Sequence, residues 1–207
     1  METASSVVTS KNKRLAIIGA FSALVILMGI PGLHLGYIPL SPTISLTIMH
    51  IPVLLAAILA GLPGGLVTGL VFGLTSLVNA AASPSGVLDP LFVNPLCSVL
   101  PRMLFGATAW ALFTVLDFIP KMPKTVSAAI TAFLATLCHT VLVIGSMYLF
   151  LNAKMLDAMS GAGFLALMGL LIPGASMEAL AALVVCTAVV GAIFISSKRK
   201  AKIFSEK

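Results

Sequence analysis

The chain has 207 residues, of which 59% are hydrophobic and only 9% charged. Soluble domains carry about 25% charged residues, so this composition excludes a soluble protein and describes an integral membrane protein. The formal charge of +6 does not point to nucleic acid, because its carriers are segregated. Lys11, Lys13 and Arg14 precede the first apolar run, Lys121 and Lys124 flank a central break, and Lys198, Arg199, Lys200, Lys202 and Lys207 follow the last run. That is the distribution of cytoplasmic anchors at a lipid bilayer.

The basic start and first apolar run imitate a signal peptide, but further spanning runs follow, so the first run reads as a retained transmembrane helix. It covers 14–31 and is closed by Pro31 and Gly32. A short second span, 46–62, shares the Gly-rich turn Gly61–Gly65 with the third, 64–82, and the two form a tight helical hairpin. "ASPSGVLDP", 82–90, separates them from a fourth span at 97–119. A fifth lies at 126–150 and a sixth at 176–197. The expectation is an all-α membrane protein with six transmembrane helices in a single membrane domain.

"GAGFLALMGLLIPGA", 161–175, holds too few apolar residues before Pro173 for a further crossing. With six spans, both termini and the 120–125 loop share one side and collect the ten basic residues named above, of twelve in the chain. A seventh crossing would carry the basic tail outside. Residues 157–173 are therefore expected to form a partly buried helix or re-entrant piece on the external side.

Small residues mark two seams. Gly65, Gly69 and Gly73 line the third span at four-residue spacing, and backbones approach closely along such ridges. Packing within the bundle is the reading for that one. Ala16, Ala20 and Ala23, with Gly19 beside them, form a ridge on the first span that serves either the bundle or another membrane protein. Cys97, Cys138 and Cys186 lie in apolar stretches, with neither a disulfide framework nor a metal site suggested.

The polar inventory inside the spans is sparse. It holds His50, Thr75, Ser76, Asn79, Asn94, Arg102, Trp110, Asp117, His139 and Thr140. Thr75 and Asn79, four apart, share a helix face. Pro101 lacks an N–H and frees a carbonyl beside Arg102. An arginine at bilayer depth either snorkels to the headgroups or meets a partner. Few other basic residues lie on that side, so Arg102 is not a generic anchor. His50 admits a second reading as a donor to a carbonyl freed by Pro52, and His139 as a satisfied bundle histidine. Asp117 reads as a helix-end residue.

No catalytic constellation is present: there is no Walker lysine motif, no HExxH and no paired carboxylates. Nor does an acidic residue sit deep in a span, since Asp89 and Asp157 fall in external loops and Glu178 at the mouth of the last helix. With no inverted repeat visible, a self-sufficient transporter or exporter is disfavoured.

The stretch "LGYIPLSPTISLTIMHIPVLLAAILAGLPGGLVTGLVFGLTSLVNA", 35–80, resembles the substrate-binding S components of energy-coupling factor (ECF) vitamin transporters. With "FVNPLCSVLPRMLFG", 92–106, it is most similar to the pantothenate-specific branch. The resemblance implies a six-helix protein of the prokaryotic cell membrane with both ends cytoplasmic and a vitamin pocket near the external face. It also implies a separate membrane-embedded coupling subunit and two cytosolic ABC-type ATPases. ATP and magnesium belong to those ATPases, and no cofactor is expected on this chain. The family's AxxxA contact for the coupling subunit matches Ala16 and Ala20. For pantothenate, Arg102 would meet the carboxylate, and Asn79, Asn94 and Thr75 the uncharged polar atoms. Trp110 would wall the pocket, with His139 and His50 as further contacts. Rival readings are another vitamin (riboflavin, a hydroxymethylpyrimidine or pyridoxine-like compound, or cobalamin) and a structural or assembly membrane protein that binds no metabolite.

Overall fold

A computed structural model of the chain describes residues 10–30, 35–39, 45–84, 88–158, 161 and 163–205. Helix α1, Lys11–Met28, starts on its basic residues and stops where the Gly29 N–H returns to Val25 O at 3.0 Å. Pro31 and Gly32, expected to close this helix, lie outside the described residues. A two-stranded antiparallel ribbon follows, β1 (Tyr37–Pro39) against β2 (Ser45–Thr47), with Tyr37 opposite Thr47. The all-α expectation did not include it. Gly36 anchors the ribbon by donating to Met28 O and accepting from Ile48 N, each at 3.0 Å.

Helix α2, His50–Ala60, is eleven residues long and buried at every position. A helix apolar on all sides belongs in a core, and α2 packs on α1, α3, α4, α5 and α6. Pro52 is tolerated in its first turn, where an N–H has no partner to lose. Gly61 ends it at φ 76°, ψ −163°, a conformation open to glycine alone. The chain then reverses directly into α3, Leu62–Ala82, with Pro63 in its first turn. An added Cβ at Gly64 would lie 2.2 Å from Ala56 O, so the hairpin closes backbone on backbone.

A 3₁₀ turn, Asp89–Val93, leads to Asn94, whose side chain accepts from Leu96 N at 2.9 Å and caps α4, Pro95–Asp117. Lys124 Nζ reaches Asp117 Oδ2 at 3.0 Å across the turn into α5, Lys124–Ala158. That places Asp117 at a helix end, as expected. The helical ladder of α5 is interrupted at Leu151 (φ −133°, ψ 32°). Helix α6 then runs unbroken from Phe164 to Ser205 with Pro173 inside it. Residues 164–173 are thus a partly buried helix, one of the two forms expected for 157–173; the re-entrant form is not adopted, and the segment is continuous with the last helix. One missing amide bond does not end a helix that packs along α5, and proline is tolerated within membrane helices for that reason.

The glycine ridge packs inside the bundle, as read. Added Cβ atoms at Gly65, Gly69 and Gly73 would lie 2.4 Å from Gly106 O, 2.5 Å from Arg102 O and 2.6 Å from Val99 Cα, so α3 and α4 touch through their backbones. Ser98 Oγ closes the upper end by donating to Gly73 O at 2.9 Å.

Among the described residues, four helical stretches are long and apolar enough to cross a membrane: Leu62–Ala82, Pro95–Asp117, Lys124–Asp157 and Leu171–Ser196. Eleven residues make α2 about 16 Å long, roughly half the hydrocarbon thickness of about 30 Å. Helix α1 spends its first turn on charged residues. Six α-helices follow in the expected order, but among the described residues only four of them are of spanning length, so the structure shows four candidate crossings rather than the six expected.

The starts of α1 and α5 and the end of α6 carry the basic residues, whereas α1 ends and α2 begins at the opposite end. The charge rule assigns the basic end to the cytoplasm. In a background lacking Cys97, Cys138 and Cys186, Ser83→Cys is expected to react with an impermeant thiol reagent on intact cells. Pro123→Cys and Ser205→Cys are expected to stay protected; external labelling of Ser205→Cys would contradict the assignment.

Candidate functional site

Arg102 lies about two turns into α4, at the end of the bundle away from the basic residues. It is 5% exposed. Pro101 has no N–H to offer the carbonyl one turn back, that of Cys97. Arg102 supplies the missing donor: its Nη1 lies 2.8 Å from Cys97 O and 3.0 Å from Ser98 O. The side chain thus folds back along its own helix. Its Cζ sits 4.4 Å from the Phe92 ring centroid and 5.5 Å from that of Phe72, both within cation–π range. Held between backbone carbonyls and aromatic faces, the guanidinium does not snorkel into open water.

His139 of α5 also lies near Phe72, with ring centroids 5.8 Å apart, and 4.7 Å from the Phe105 ring. His50, the first residue of α2, stacks near it at 6.4 Å and 23°. Phe105 completes the group, 6.3 Å from His50. Five helical elements (α2, α3, the 3₁₀ turn, α4 and α5) thereby contribute one cluster of Arg102, His50, His139, Phe72, Phe92 and Phe105. His50 is fully buried and His139 is 5% exposed. Neither ring nitrogen of His50, nor Nε2 of His139, has a hydrogen-bond partner among the described residues. The Pro52 reading of His50, as a donor to a freed carbonyl, is therefore not realised. A buried polar atom without a partner costs about 1–3 kcal/mol, and this pair brings three such nitrogens together.

The other expected contacts fall elsewhere. Thr75 Oγ1 donates to Val71 O at 2.8 Å and its methyl packs on Gly29, while Asn79 Nδ2 donates to Gly29 O at 2.7 Å. These two lock the end of α1 to α3. Asn94 is the cap of α4, about 12 Å along the axis from Arg102. Trp110 lies a similar distance beyond Arg102 in the other direction, half-buried against the central core. Glu178 is the residue that sequence reasoning set aside. It lies inside α6, half-buried, and accepts from the Thr47 N–H, tying the ribbon to α6 just before His50. An acidic residue in an otherwise apolar run was its signal. Among the described residues, no three of His, Cys, Asp and Glu gather as a metal ion requires.

The alanine ridge has no such neighbours. Ala16, Gly19, Ala20 and Ala23 are all exposed, and an added Cβ at Gly19 would meet nothing within 4 Å. The first helix packs on the bundle through other residues, Phe21, Val25 and Met28 among them.

A short, wholly buried α2, a glycine seam and an unpacked small-residue face on α1 are now joined by a family match. Residues 13–190 match the family described as ECF transporter, substrate-specific component. The chain belongs to that family. No curated protein matches it. ECF substrate-specific components are transport subunits and not enzymes; they work with a transmembrane coupling subunit and two ATPases. Membership removes the structural or assembly reading, even though Thr75, Asn79 and Asn94 bond to protein as that reading expected.

Proposed function

We propose that this S component binds pantothenate at the Arg102 end of the bundle and delivers it for ATP-driven uptake across the prokaryotic cell membrane. The observation that carries the reading is a guanidinium buried between two phenylalanine faces, far from the basic end. A charge kept at that depth has a task to match its cost, and a planar guanidinium suits a carboxylate. His50 and His139 share the site, with Phe72, Phe92 and Phe105 as its apolar walls. Thr75, Asn79 and Asn94 serve by fixing the helices that carry the site, and Trp110 by filling the core beneath it.

Charge-assisted hydrogen bonds contribute about 1.5–3 kcal/mol. Arg102→Ala is therefore expected to weaken pantothenate binding to the purified protein by at least about tenfold, with Arg102→Lys recovering part of the loss. Pantothenol, the uncharged alcohol, is expected to bind wild type more weakly and to lose little further on Arg102→Ala. Equal losses for both compounds would show that the arginine supports α4 rather than reading an acid.

The exposed ridge of Ala16, Ala20 and Ala23 is the proposed contact for the coupling subunit, since small residues let helix backbones meet. Ala16→Trp and Ala20→Trp are expected to abolish cellular uptake while leaving the affinity of the isolated protein for pantothenate within a few-fold. Retained uptake with normal recovery of the complex would exclude the ridge.

A further inference from the structure

Three buried imidazole nitrogens, both of His50 and Nε2 of His139, make no well-aligned hydrogen bond among the described residues, although the Thr47 and Glu178 backbones approach His50. They come from helices distant in sequence, α2 and α5, and their rings lie 6.4 Å apart. Phe105 packs near both rings and Phe72 near His139, so the pair lies among aromatic walls in the same cluster as the Arg102 guanidinium. Phe72 is shared by His139 and the guanidinium of Arg102, its centroid 5.8 Å from the one's ring and 5.5 Å from the other's Cζ.

We infer that the His50–His139 pair is a subsite for hydroxyl groups. A neutral imidazole offers one N–H donor and one bare nitrogen acceptor. A hydroxyl both donates and accepts, so neighbouring hydroxyls on one ligand satisfy the donors and the acceptors together. A carboxylate offers only acceptors and an ammonium only donors, and either leaves part of the pair unmatched. The apolar walls favour a ligand whose hydroxyls are carried on a branched or otherwise hydrophobic body. The ligand class is a small hydroxylated acid: its acid is held by Arg102, its hydroxyls by the histidines, and its apolar body lies along Phe72 and Phe105. This assignment rests on the proposal that the Arg102 end is the binding site.

The test uses the full-length protein in mild detergent with D-pantothenate and its dideoxy analogue, in which both hydroxyls are replaced by hydrogen. His50→Phe and His139→Phe keep a ring against Phe105 but remove the nitrogens. Each is expected to weaken pantothenate by about tenfold or more, while the dideoxy analogue, weaker on wild type, changes by less than about threefold, the difference being the coupling between histidine and hydroxyl. His139→Gln, which restores a donor and an acceptor, is expected to regain part of the loss. Equal losses for both ligands, or no loss for pantothenate, would overturn the subsite. If wild type does not bind pantothenate, the pantothenate reading fails separately. The small molecule retained through purification then decides by its mass: a hydroxylated compound lost from both Phe variants upholds the subsite, and one without hydroxyls, or water alone, overturns it.

Discussion

Backbone meets backbone where α3 crosses α4, and that contact sets the position of the groups gathered at the site. Gly65 faces Gly106, Gly69 faces the Arg102 carbonyl and Gly73 faces Val99. In lipid, helices gain little from burying apolar surface against each other, so close van der Waals contact and backbone complementarity hold them. Any side chain at Gly69 would push against the residue whose guanidinium occupies the site. The same ridge brings Phe72, one residue short of Gly73, to the ring of His139 and the edge of Arg102. Packing and recognition are therefore one problem in this bundle.

Hydrogen-bond accounting explains the rest of the arrangement. Pro101 withdraws an amide from α4 and Arg102 returns a donor to the orphaned Cys97 carbonyl. Asn94 caps the same helix, and Asn79 ties the last turn of α1 to α3. Each of these groups has its partner inside the protein. Among the described residues, both nitrogens of His50 and Nε2 of His139 make no such bond, and the contrast is what marks them. The proposed binding site gives that polarity a use, since the chain belongs to a family of substrate-specific transport components.

Much of this was legible in the sequence. Strict four-residue glycine spacing announced the α3–α4 seam, and the Gly-Leu-Pro-Gly-Gly turn announced the hairpin. The isolated Arg102 next to Pro101 singled itself out by cost. What was not legible came from contacts between segments distant in the chain. Eleven phenylalanines give no hint that Phe72, Phe92 and Phe105 converge, because each sits on a different element. Pro173 looked like a stop, yet tertiary packing along α5 carries α6 through it. The ribbon is three residues on each strand, too short for alternation to register. Thr75 and Asn79 share a helix face as read, and only the position of α1 reveals that the face meets Gly29.

The affinity for pantothenate of Gly69→Ala, measured in the wild-type and the Arg102→Ala backgrounds, tests most directly whether the seam positions the guanidinium. The added methyl would lie 2.5 Å from the Arg102 carbonyl, so α4 must shift. In the wild-type background a loss of about fivefold or more is expected, and in the Arg102→Ala background less than about twofold, the mark of coupled residues. Equal losses in both backgrounds would contradict the account, because the seam would then act on binding without acting through Arg102.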